Sequence, residues 1–470
     1  MINQVRGKEI LVVGMARSGL AAVELLNKIG ASNITVTDNK NSLDLQNELN
    51  ILKSYKNVDY ITGGNPPELV TENLSMIVKS PGVPPTLEIF KKAEELSVLV
   101  VSEIELAYAF IKTPIIGVTG TNGKTTTTAL ITAMLKEARL EPVVSAGNIG
   151  NPLAGLFGKI SPQGFIVAEL SSFQLENISK FRPTIAVFLN FAEDHLDYHG
   201  TIEKYFKAKA RIFENQVEGD YAVLNAGDYA VSSLRESCKS RVIWFDHSPV
   251  RLGVGLNKEW ITIYNPSSEA VRICNISEVA LPGEHNLENS LAAAAAAWAA
   301  GADPSSIGRA LRSFKAIEHR LEHVALIDGV EYINDSKGTN PGATIKALLS
   351  YPGRKKILIA GGKEKGSNFK DLAYLIKKEV KALILIGETA DRIAEAARDA
   401  GFNNYYQYKT MEEAVLAASK YAEKNDLVLL SPACASWDMF KDFEERGSAF
   451  KAVVNSLRKE RDKEGGTANG

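Results

Sequence analysis

The chain alternates short apolar runs with amphipathic helical patterns along almost all of its 470 residues. Such alternation is typical of βαβ units, which build parallel sheets with helices on both faces. One example is the apolar run Glu9 to Gly14, which precedes a helical pattern over Leu20 to Ile29 and a second apolar run over Ile34 to Asp38. Because the chain is too long for one ordinary core, its length predicts about three domains of this α/β kind.

The apolar runs fall into three successive units, each predicted to form a doubly wound, Rossmann-like sheet. The predicted domains are residues 1–103, 104–316 and 317–457. Within the central domain, residues 219–279 contain short β-like runs, which predict a small antiparallel addition. Residues 458–470 are charged and then glycine-rich, a composition that predicts a disordered tail.

The charge balance and the cysteine spacing exclude several classes of protein. With 54 basic and 56 acidic residues, the chain lacks the basic excess typical of nucleic-acid binding or of anionic membrane surfaces. Cys238, Cys274 and Cys434 are too widely separated for a disulfide framework or a zinc motif. The first residues lack the pattern of a signal peptide, and no apolar stretch is long enough for a bilayer span. We therefore expect a cytoplasmic protein with no nucleic-acid partner and no membrane insertion. We also expect a monomer, although none of these features bears on the oligomeric state.

A glycine-containing segment, Gly117 to Thr126, lies between a predicted strand, Ile115 to Thr119, and a predicted helix, Thr125 to Glu137. In such a context backbone N–H groups and the helix N-terminus point at an anion, and Lys124 adds a positive charge. The segment departs from the common phosphate-loop pattern because Val118 stands where that pattern has its first glycine. The order of strand, loop, lysine and two threonines nevertheless predicts an ATP site in a P-loop ATPase-type domain.

Acidic and histidine side chains follow two further predicted strands of the central domain. Glu169 ends one strand, and the segment 190–195, which closes with His195, follows the next. Since parallel strands place their carboxyl ends at one edge of a sheet, we expect both groups near the phosphate loop. Oxygen ligands at this edge, including the hydroxyl of Thr125, predict a magnesium site against the nucleotide phosphates. Lys209 lies on a helical pattern whose charges have the spacing of a solvated face.

The ordered set of motifs resembles the Mur ligases and their folylpolyglutamate synthetase relatives over nearly the whole chain. Besides the phosphate loop and the two strand ends, the resemblance rests on residues 283–289, 318–322 and 334–341. Within the family, residues 335–340 and 430–438 resemble the members that add D-glutamate to UDP-N-acetylmuramoyl-L-alanine. The resemblance implies an ATP-dependent ligase of peptidoglycan precursor synthesis, which activates a carboxylate as an acyl phosphate.

The resemblance also implies roles for individual residues in the nucleotide and metal sites. The residues expected to take part in catalysis are Lys124, His195 and Lys209. The residues expected to contact ATP are Gly120, Thr121, Asn122, Gly123, Lys124, Thr125, Thr126, Asn289, Arg320 and Asp335. Two Mg²⁺ ions are expected on Thr125, Glu169, His195 and Lys209. Carbamylation would convert the ammonium of that lysine into an anionic oxygen ligand.

For the other two substrates the resemblance implies sites in the first and third domains. The residues expected to contact the UDP-linked substrate are Arg17, Ser18, Asp38, Ser80, Gly82, Asn148, Ser171 and His195. The residues expected around D-glutamate are Lys337, Thr339, Lys365, Ser436, Trp437 and Phe443. Trp437 is bulkier than the aliphatic residue associated with its position, so we expect a glutamate pocket that differs in detail.

Other interpretations of the sequence stay open. Another Mur-type or folylpolyglutamate-type ligase would use the same chemistry, although the turn Ser80 to Gly82 favours a nucleotide sugar over folate. A nucleotide-binding regulatory module would need the phosphate loop alone, whereas Glu169, His195 and Lys209 are superfluous to binding. A nicotinamide dehydrogenase is disfavoured because Gly14 to Gly19 lacks the middle glycine of a dinucleotide loop.

Overall fold

The computed structural model describes residues 1–148, 150–314, 318–363 and 366–466. The chain divides into two compact units, the first formed by Met1–Val279 and Glu288–Phe314, and the second by Ala280–Leu287 and Lys315–Gly470. Two sheets lie in the first unit and one in the second. The α/β architecture predicted from the sequence is confirmed. Across the described ranges, no helix combines the length and the apolar character needed to cross a membrane.

The first sheet contains five strands, all of them parallel. The strands are β1 (Glu9–Val13), β2 (Asn33–Asp38), β3 (Val58–Thr62), β4 (Met76–Lys79) and β5 (Leu99–Ser102). The helices are α1 (Ile2–Val5), α2 (Arg17–Ile29), α3 (Gln46–Leu52), α4 (Glu88–Glu95) and α5 (Glu103–Tyr108). The order β3-β2-β1-β4-β5 places the carboxyl ends of β1, β2 and β4 side by side. This is the edge where open α/β sheets bind ligands.

The second sheet contains nine strands, in the order β14-β13-β12-β11-β10-β9-β6-β8-β7. The strands are β6 (Ile115–Thr119), β7 (Val143–Gly147), β8 (Phe165–Glu169), β9 (Ile185–Phe188), β10 (Tyr221–Asn225), β11 (Arg241–Asp246), β12 (Gly253–Asn257), β13 (Trp260–Tyr264) and β14 (Val271–Asn275). The helices are α6 (Lys124–Glu137), α7 (Ser172–Leu175), α8 (Leu196–His199), α9 (Ile202–Ala210), α10 (Tyr229–Ser232), α11 (Glu284–Ala299) and α12 (Pro304–Ser313). Every residue of β6 is buried, as the continuous apolar sequence of a central parallel strand requires.

The antiparallel addition, which the sequence predicted over residues 219–279, is limited to strands β12 to β14. Strands β10 and β11 pair in parallel with their neighbours and continue the main sheet. Only the pairs β12–β13 and β13–β14 are antiparallel. The physical difference lies in the connections: a two-residue turn, Lys258–Glu259, closes the β12–β13 hairpin, whereas β10 and β11 are joined by a helical crossover through α10.

The third sheet has six strands, in the order β15-β16-β20-β17-β18-β19, and only the β15–β16 pair is antiparallel. The strands are β15 (Glu322–Ile327), β16 (Val330–Asn334), β17 (Lys356–Ala360), β18 (Val380–Leu385), β19 (Tyr405–Gln407) and β20 (Leu427–Leu430). The helices are α13 (Pro341–Leu349), α14 (Lys370–Glu379), α15 (Ala390–Asp399), α16 (Met411–Tyr421) and α17 (Phe443–Gly466). Apolar clusters lie on both faces of this sheet, the arrangement expected of a doubly wound fold.

The C-terminal helix extends further than the sequence predicted. Residues 458–466 belong to α17, where a disordered tail was expected, and residues 467–470 lie outside the described residues. Leu457 packs against the core, and Arg461 forms an ion pair with Asp328 at 3.4 Å. These contacts reach as far as Arg461 in a helix that composition alone does not indicate.

Candidate functional site

Most of the predicted nucleotide residues lie in the loop after β6, a central strand of the second sheet. Strand β6 lies between β8 and β9, with Val118 opposite Glu169 and Thr119 opposite Phe188. The loop after β6 therefore lies at the same sheet edge as the end of β8 and the segment after β9. This is the arrangement that the sequence predicted.

The loop between β6 and α6 depends on glycine at two positions. Gly120 and Gly123 have φ values of 149° and 85°. A Cβ atom on Gly123 would lie 2.1 Å from Oδ1 of Asn289, a residue of α11. Asn289 also accepts a hydrogen bond from Thr127 Oγ1, at 3.5 Å. One of the predicted nucleotide residues, Asn289, thus lies directly against the phosphate loop.

Asn190, which was not among the predicted site residues, fixes the loop from the β9 side. Its side-chain oxygen accepts from the backbone N–H of Asn122 at 2.9 Å, and its amide donates to the carbonyl oxygen of Asn122 at 3.2 Å. Its own carbonyl oxygen accepts from the N–H of Thr121, at 2.9 Å. The sequence feature that could have identified Asn190 as a site residue is its position shortly after a buried strand, β9. The contacts fix the backbone that is expected to receive a phosphate group.

Two lysine side chains reach the same loop carbonyl. Lys124 Nζ donates to the carbonyl oxygens of Gly120 and Thr121, both at 2.9 Å. Lys209 Nζ donates to Gly120 at 2.8 Å and lies 4.8 Å from the ring centre of Tyr205. The Lys209 side chain is only 1% exposed, so the solvated helix face suggested by its sequence spacing is wrong for this residue.

The surroundings of Lys209 favour its neutral form. Burial lowers the pKa of the Lys209 ammonium well below its ordinary value, and the positive charge of Lys124 lowers it further. The negative charges of Asp194 and Glu169 act in the opposite direction. Lys209 therefore interacts electrostatically with Glu169, at the end of β8, and with Asp194, in the segment after β9.

Glu169 contributes a buried carboxylate with an unused acceptor. Its Oε1 accepts from Asn148 Nδ2 at 3.0 Å, while Oε2 is buried and has no hydrogen-bond partner among the described residues. A buried carboxylate oxygen without a partner is costly unless a ligand or ion satisfies it. Thr125 and Thr126 follow Lys124 in the first turn of α6. The carboxylate oxygen and the threonine hydroxyl are the donor types that Mg²⁺ prefers.

His195 immediately precedes the short helix α8 and has an unusual backbone conformation. Its φ is 52°, and its side chain is half-exposed, with Nε2 3.8 Å from Asp194 Oδ2. Its ring meets Phe173 edge-on, with the centroids 4.9 Å apart. Ser171, also predicted to contact substrate, caps the neighbouring helix α7 and hydrogen-bonds Gln174. The segment after β8 and the segment after β9 are thus joined through an aromatic contact.

In the first sheet, the predicted UDP-substrate positions lie at or after three adjacent strand ends, those of β1, β2 and β4. The Asp38 carboxylate accepts from the backbone N–H of Met15 at 2.8 Å, which ties β2 to the loop after β1. Ser80 Oγ donates to the carbonyl oxygen of Gly14 at 3.1 Å. Arg17 and Ser18 open α2 after the same loop. The space where a Gly82 side chain would lie is open.

A buried lysine that the sequence analysis did not single out joins the two sheets of the first unit. Lys79, at the end of β4, donates to the Tyr198 hydroxyl at 2.6 Å and to Glu176 Oε2 at 3.3 Å. Tyr198 belongs to α8, the helix that follows His195. Burial lowers the pKa of the Lys79 ammonium, although the Glu176 carboxylate counteracts this. No local pattern marks this contact, because its partners are remote in sequence.

The other two predicted nucleotide residues, Arg320 and Asp335, belong to the second unit. The Asp335 carboxylate accepts from Ser431 Oγ at 2.7 Å and from the backbone N–H of Leu321 at 3.3 Å. Burial raises the pKa of Asp335 to about 6, although the positive charge of Arg320 and the hydrogen bond from Ser431 act against this shift. Asp335 therefore has protein partners for both of its oxygens.

The predicted glutamate residues of the second unit lie on connected segments. Lys337 Nζ lies 5.2 Å from the ring centre of Phe443. Thr339 follows on the same segment, which is joined to the segment of Ser436 by a 2.9 Å backbone hydrogen bond from Ala433 to Gly338. Ser436 is buried, whereas Trp437 is 64% exposed. The predicted residue Lys365 lies outside the described residues.

Comparison with known families gives matches along most of the chain. Residues 8–102 match the Mur ligase MurD-like N-terminal domain, residues 118–297 the Mur ligase middle domain, and residues 319–434 the Mur ligase glutamate ligase domain. A UDP-N-acetylmuramoylalanine–D-glutamate ligase of Pelotomaculum thermopropionicum is 48% identical over 98% of this chain and 100% of its own length. The ligase of the same name from Clostridioides difficile is 46% identical over 96% of this chain and 99% of its own.

Solved structures agree with the fold. The UDP-N-acetylmuramate–alanine ligase MurC of Thermotoga maritima has a TM-score of 0.60 at 18% identity, covering 96% of this chain and 99% of its own. The MurF ligase of Thermotoga maritima, solved in complex with ADP, has a TM-score of 0.58 at 17% identity, covering 99% of this chain and 97% of its own. These likenesses support the shared fold at low sequence identity.

Proposed function

Because the chain belongs to the Mur ligase family, we propose that it joins D-glutamate to UDP-N-acetylmuramoyl-L-alanine in an ATP-dependent reaction. The observation that carries the proposal is the arrangement at one edge of the second sheet, where the phosphate loop and Lys124 lie beside the end of β8. Strand β8 ends at Glu169, whose buried Oε2 has no hydrogen-bond partner among the residues described. The family match over nearly the full chain supports the same activity. The substrates named here are those in the names of the matched relatives.

The chemistry requires two successive transfers. In the first, an oxygen of the substrate carboxylate forms a bond to the γ-phosphorus of ATP, and ADP leaves with the electron pair of the broken P–O bond. In the second, the neutral amine of D-glutamate adds to the acyl carbon, inorganic phosphate leaves, and the amine proton passes to a base. Positioning and charge neutralisation dominate such phosphoryl transfers. Lys124 and the loop N–H groups position the triphosphate and neutralise part of its charge.

The described residues fit a magnesium ion at the end of β8. Oε2 of Glu169 is buried and has no hydrogen-bond partner in the part of the chain that the structure describes, and Asn148 orients the carboxylate through Oε1. Thr125 and Glu169 would hold one ion, and His195 with a modified Lys209 would hold the second. When bound, Mg²⁺ neutralises the phosphate oxygens and helps to orient them. The protein's own part is to fix these oxygens at the sheet edge before the nucleotide arrives.

Carbamylation of Lys209 belongs to the same proposal. The neutral amine would form an N–C bond to carbon dioxide and release one proton, giving an anionic carbamate. Full burial of Lys209 and the nearby positive charge of Lys124 favour the neutral amine that this addition requires. The carbamate would then add oxygen donors beside Asp194 and Glu169.

The remaining roles are proposed on the basis of position and family membership. The loop after β1, together with Asp38 and Ser80, would receive the UDP group. Asn148 follows β7 and Ser171 follows β8, so both lie in the second sheet, which also carries the phosphate loop. His195, or one of the neighbouring carboxylates, would accept the amine proton. A monomeric state and a cytoplasmic location stay predictions.

The test is ATP-dependent phosphate release with UDP-N-acetylmuramoyl-L-alanine and a panel of amino acids. We expect turnover with D-glutamate and little with L-glutamate, L-alanine or L-lysine. Equal turnover with L-alanine or L-lysine would contradict the proposed specificity. A thermal-shift comparison with folate separates the proposal from a folylpolyglutamate-type activity, which would show stabilisation by folate instead. ATP binding without phosphate release under all these conditions would indicate a nucleotide-binding regulatory module.

A further inference from the structure

Arg446, in the first turn of α17, is the centre of a buried hydrogen-bond network in the second unit. Its guanidinium donates from Nε to Ser336 Oγ at 3.0 Å and from Nη2 to the Ser336 carbonyl oxygen at 2.8 Å. Nη1 donates to the carbonyl oxygens of Cys434 and Ala435, both at 3.1 Å. The side chain is 1% exposed, and all three of its nitrogens are used.

These contacts connect the segments that carry the predicted glutamate residues. Ser336 immediately precedes Lys337, and Ala435 immediately precedes Ser436. Ser336 Oγ also donates to the carbonyl oxygen of Phe443, at 2.8 Å. The network therefore reaches three separate pieces of chain, each beside or at a predicted glutamate contact.

The planar guanidinium is suited to this task in a way that other side chains are not. It presents donors in a fixed fork, so one group can hold carbonyl oxygens of two loops at set angles. A lysine at the same position would supply a compact ammonium on a flexible chain and could not reproduce the fork. Gly362 leaves room for the group, since a Cβ atom there would lie 3.1 Å from Nη1.

We propose that Arg446 is a positioning residue for D-glutamate, which sets the spacing between the Lys337 segment and the Ser436 segment through Ser336, Cys434 and Ala435. The inference rests on the proposed function, since it assigns the amino-acid site of the same reaction. Arg446 acts through other residues and does not itself touch the substrate. Loosening this connection displaces glutamate contacts while the phosphate loop, which belongs to the first unit, keeps its own hydrogen bonds.

The experiment compares three full-length variants by steady-state kinetics with each substrate varied in turn. Arg446→Lys removes the fork and keeps the charge, and Ser336→Ala removes only the hydroxyl that links Arg446 to Phe443. Arg458→Lys is the matched control, because Arg458 is an exposed residue of the same helix. Melting temperatures measured on all three variants report any general loss of folding.

We expect Arg446→Lys to raise KM for D-glutamate at least 10-fold, with KM values for ATP and the UDP-linked substrate changed less than 2-fold, in line with the cost of a misplaced contact. Ser336→Ala should raise the D-glutamate KM by a smaller factor, about 3-fold. Arg458→Lys should match the wild type. Equal changes in all three KM values, or an unchanged D-glutamate KM in both network variants, would overturn the inference. Absence of D-glutamate turnover in the wild type would instead reject the proposed function.

Discussion

Lys209 in the first unit and Arg446 in the second are both buried basic side chains, but they differ in the number of hydrogen bonds that they make to the protein. Lys209 has one hydrogen bond among the described residues, to the carbonyl oxygen of Gly120, and an aromatic ring beside it. Arg446 has four, to backbone carbonyl oxygens and a serine hydroxyl. Burial lowers the pKa of Arg446 to about 10, so the guanidinium stays charged at neutral pH.

The buried carboxylates of the two units differ in the same way. Glu169 in the first unit has one partnered oxygen and one without a partner among the described residues. Both oxygens of Asp335 in the second unit accept hydrogen bonds from the protein. Groups with unused capacity are suited to binding ions and phosphates, whereas saturated groups hold loops in place. The comparison thus contrasts a first-unit carboxylate that keeps one acceptor oxygen available with a second-unit carboxylate that is hydrogen-bonded on both oxygens.

The largest expected effect comes from removing the under-partnered lysine. Lys209→Ala should lower turnover by about 10²–10³-fold, because it deletes a predicted metal ligand. Lys209→Arg should be equally impaired, since a retained positive charge cannot form a carbamate. Phosphate release measures the turnover. If acetate partly restores the turnover of Lys209→Ala, the missing group is identified as a carboxylate. Lys207→Ala, an exposed position on the same helix, is the control. Full activity of Lys209→Ala would remove Lys209 from the mechanism.

A second effect should appear in the pH dependence of stability. The folded-state pKa of Asp335, about 6, lies above its ordinary value of 3.8, so this group's stabilising contribution is complete below about pH 4 and is lost as the pH rises through 6. Between pH 4 and 7 the loss should be about 2–3 kcal/mol, as about 1.4 kcal/mol per pKa unit implies. Urea unfolding at several pH values should show this loss in the wild type and not in Asp335→Asn. Parallel pH profiles for the two proteins would contradict the assignment.

Glu169→Gln tests whether the carboxylate oxygen that has no partner among the described residues receives a cation. The amide keeps an acceptor oxygen for Asn148 and removes the negative charge. The same substitution should abolish stabilisation by millimolar Mg²⁺ and nucleotide, measured by thermal unfolding. Glu259→Gln, in an exposed hairpin turn, is the control. A destabilised variant that still responds to Mg²⁺ would show that the carboxylate is structural.

The smallest effect is expected from the loop contact on the β9 side. Asn190→Ala removes two side-chain hydrogen bonds to Asn122, which should raise KM for ATP by about 5–30-fold, equivalent to about 1–2 kcal/mol. The D-glutamate KM should stay near the wild-type value, in contrast to the Arg446 variants. Asn257→Ala, at an exposed strand end, serves as the reference. An unchanged ATP KM would show that the loop keeps its shape without Asn190.

Local features of the fold and the site could be predicted because they depend on neighbouring residues. Strand β6 has the predicted bounds, Ile115–Thr119, since an apolar run between turn signals marks a buried strand. Glu169 at a strand end and Lys124 at a helix start follow from the same short-range pattern. The assignment of β10 and β11 was wrong, because short β-like runs do not reveal whether a strand pairs in parallel or antiparallel.

The amino-acid sequence alone determined the α/β class, the order of the three sheets along the chain, and the phosphate loop between strand and helix. Only the tertiary structure decided that Lys209 is buried, that Asn190 holds the loop, and that Arg446 meets Ser336 across 110 positions of chain. The physical reason is the distance along the chain over which each signal acts. The periodicity of apolar residues depends on near neighbours and shows which face of a helix or strand is apolar. The partner that satisfies a buried charge is chosen by packing between segments far apart in sequence.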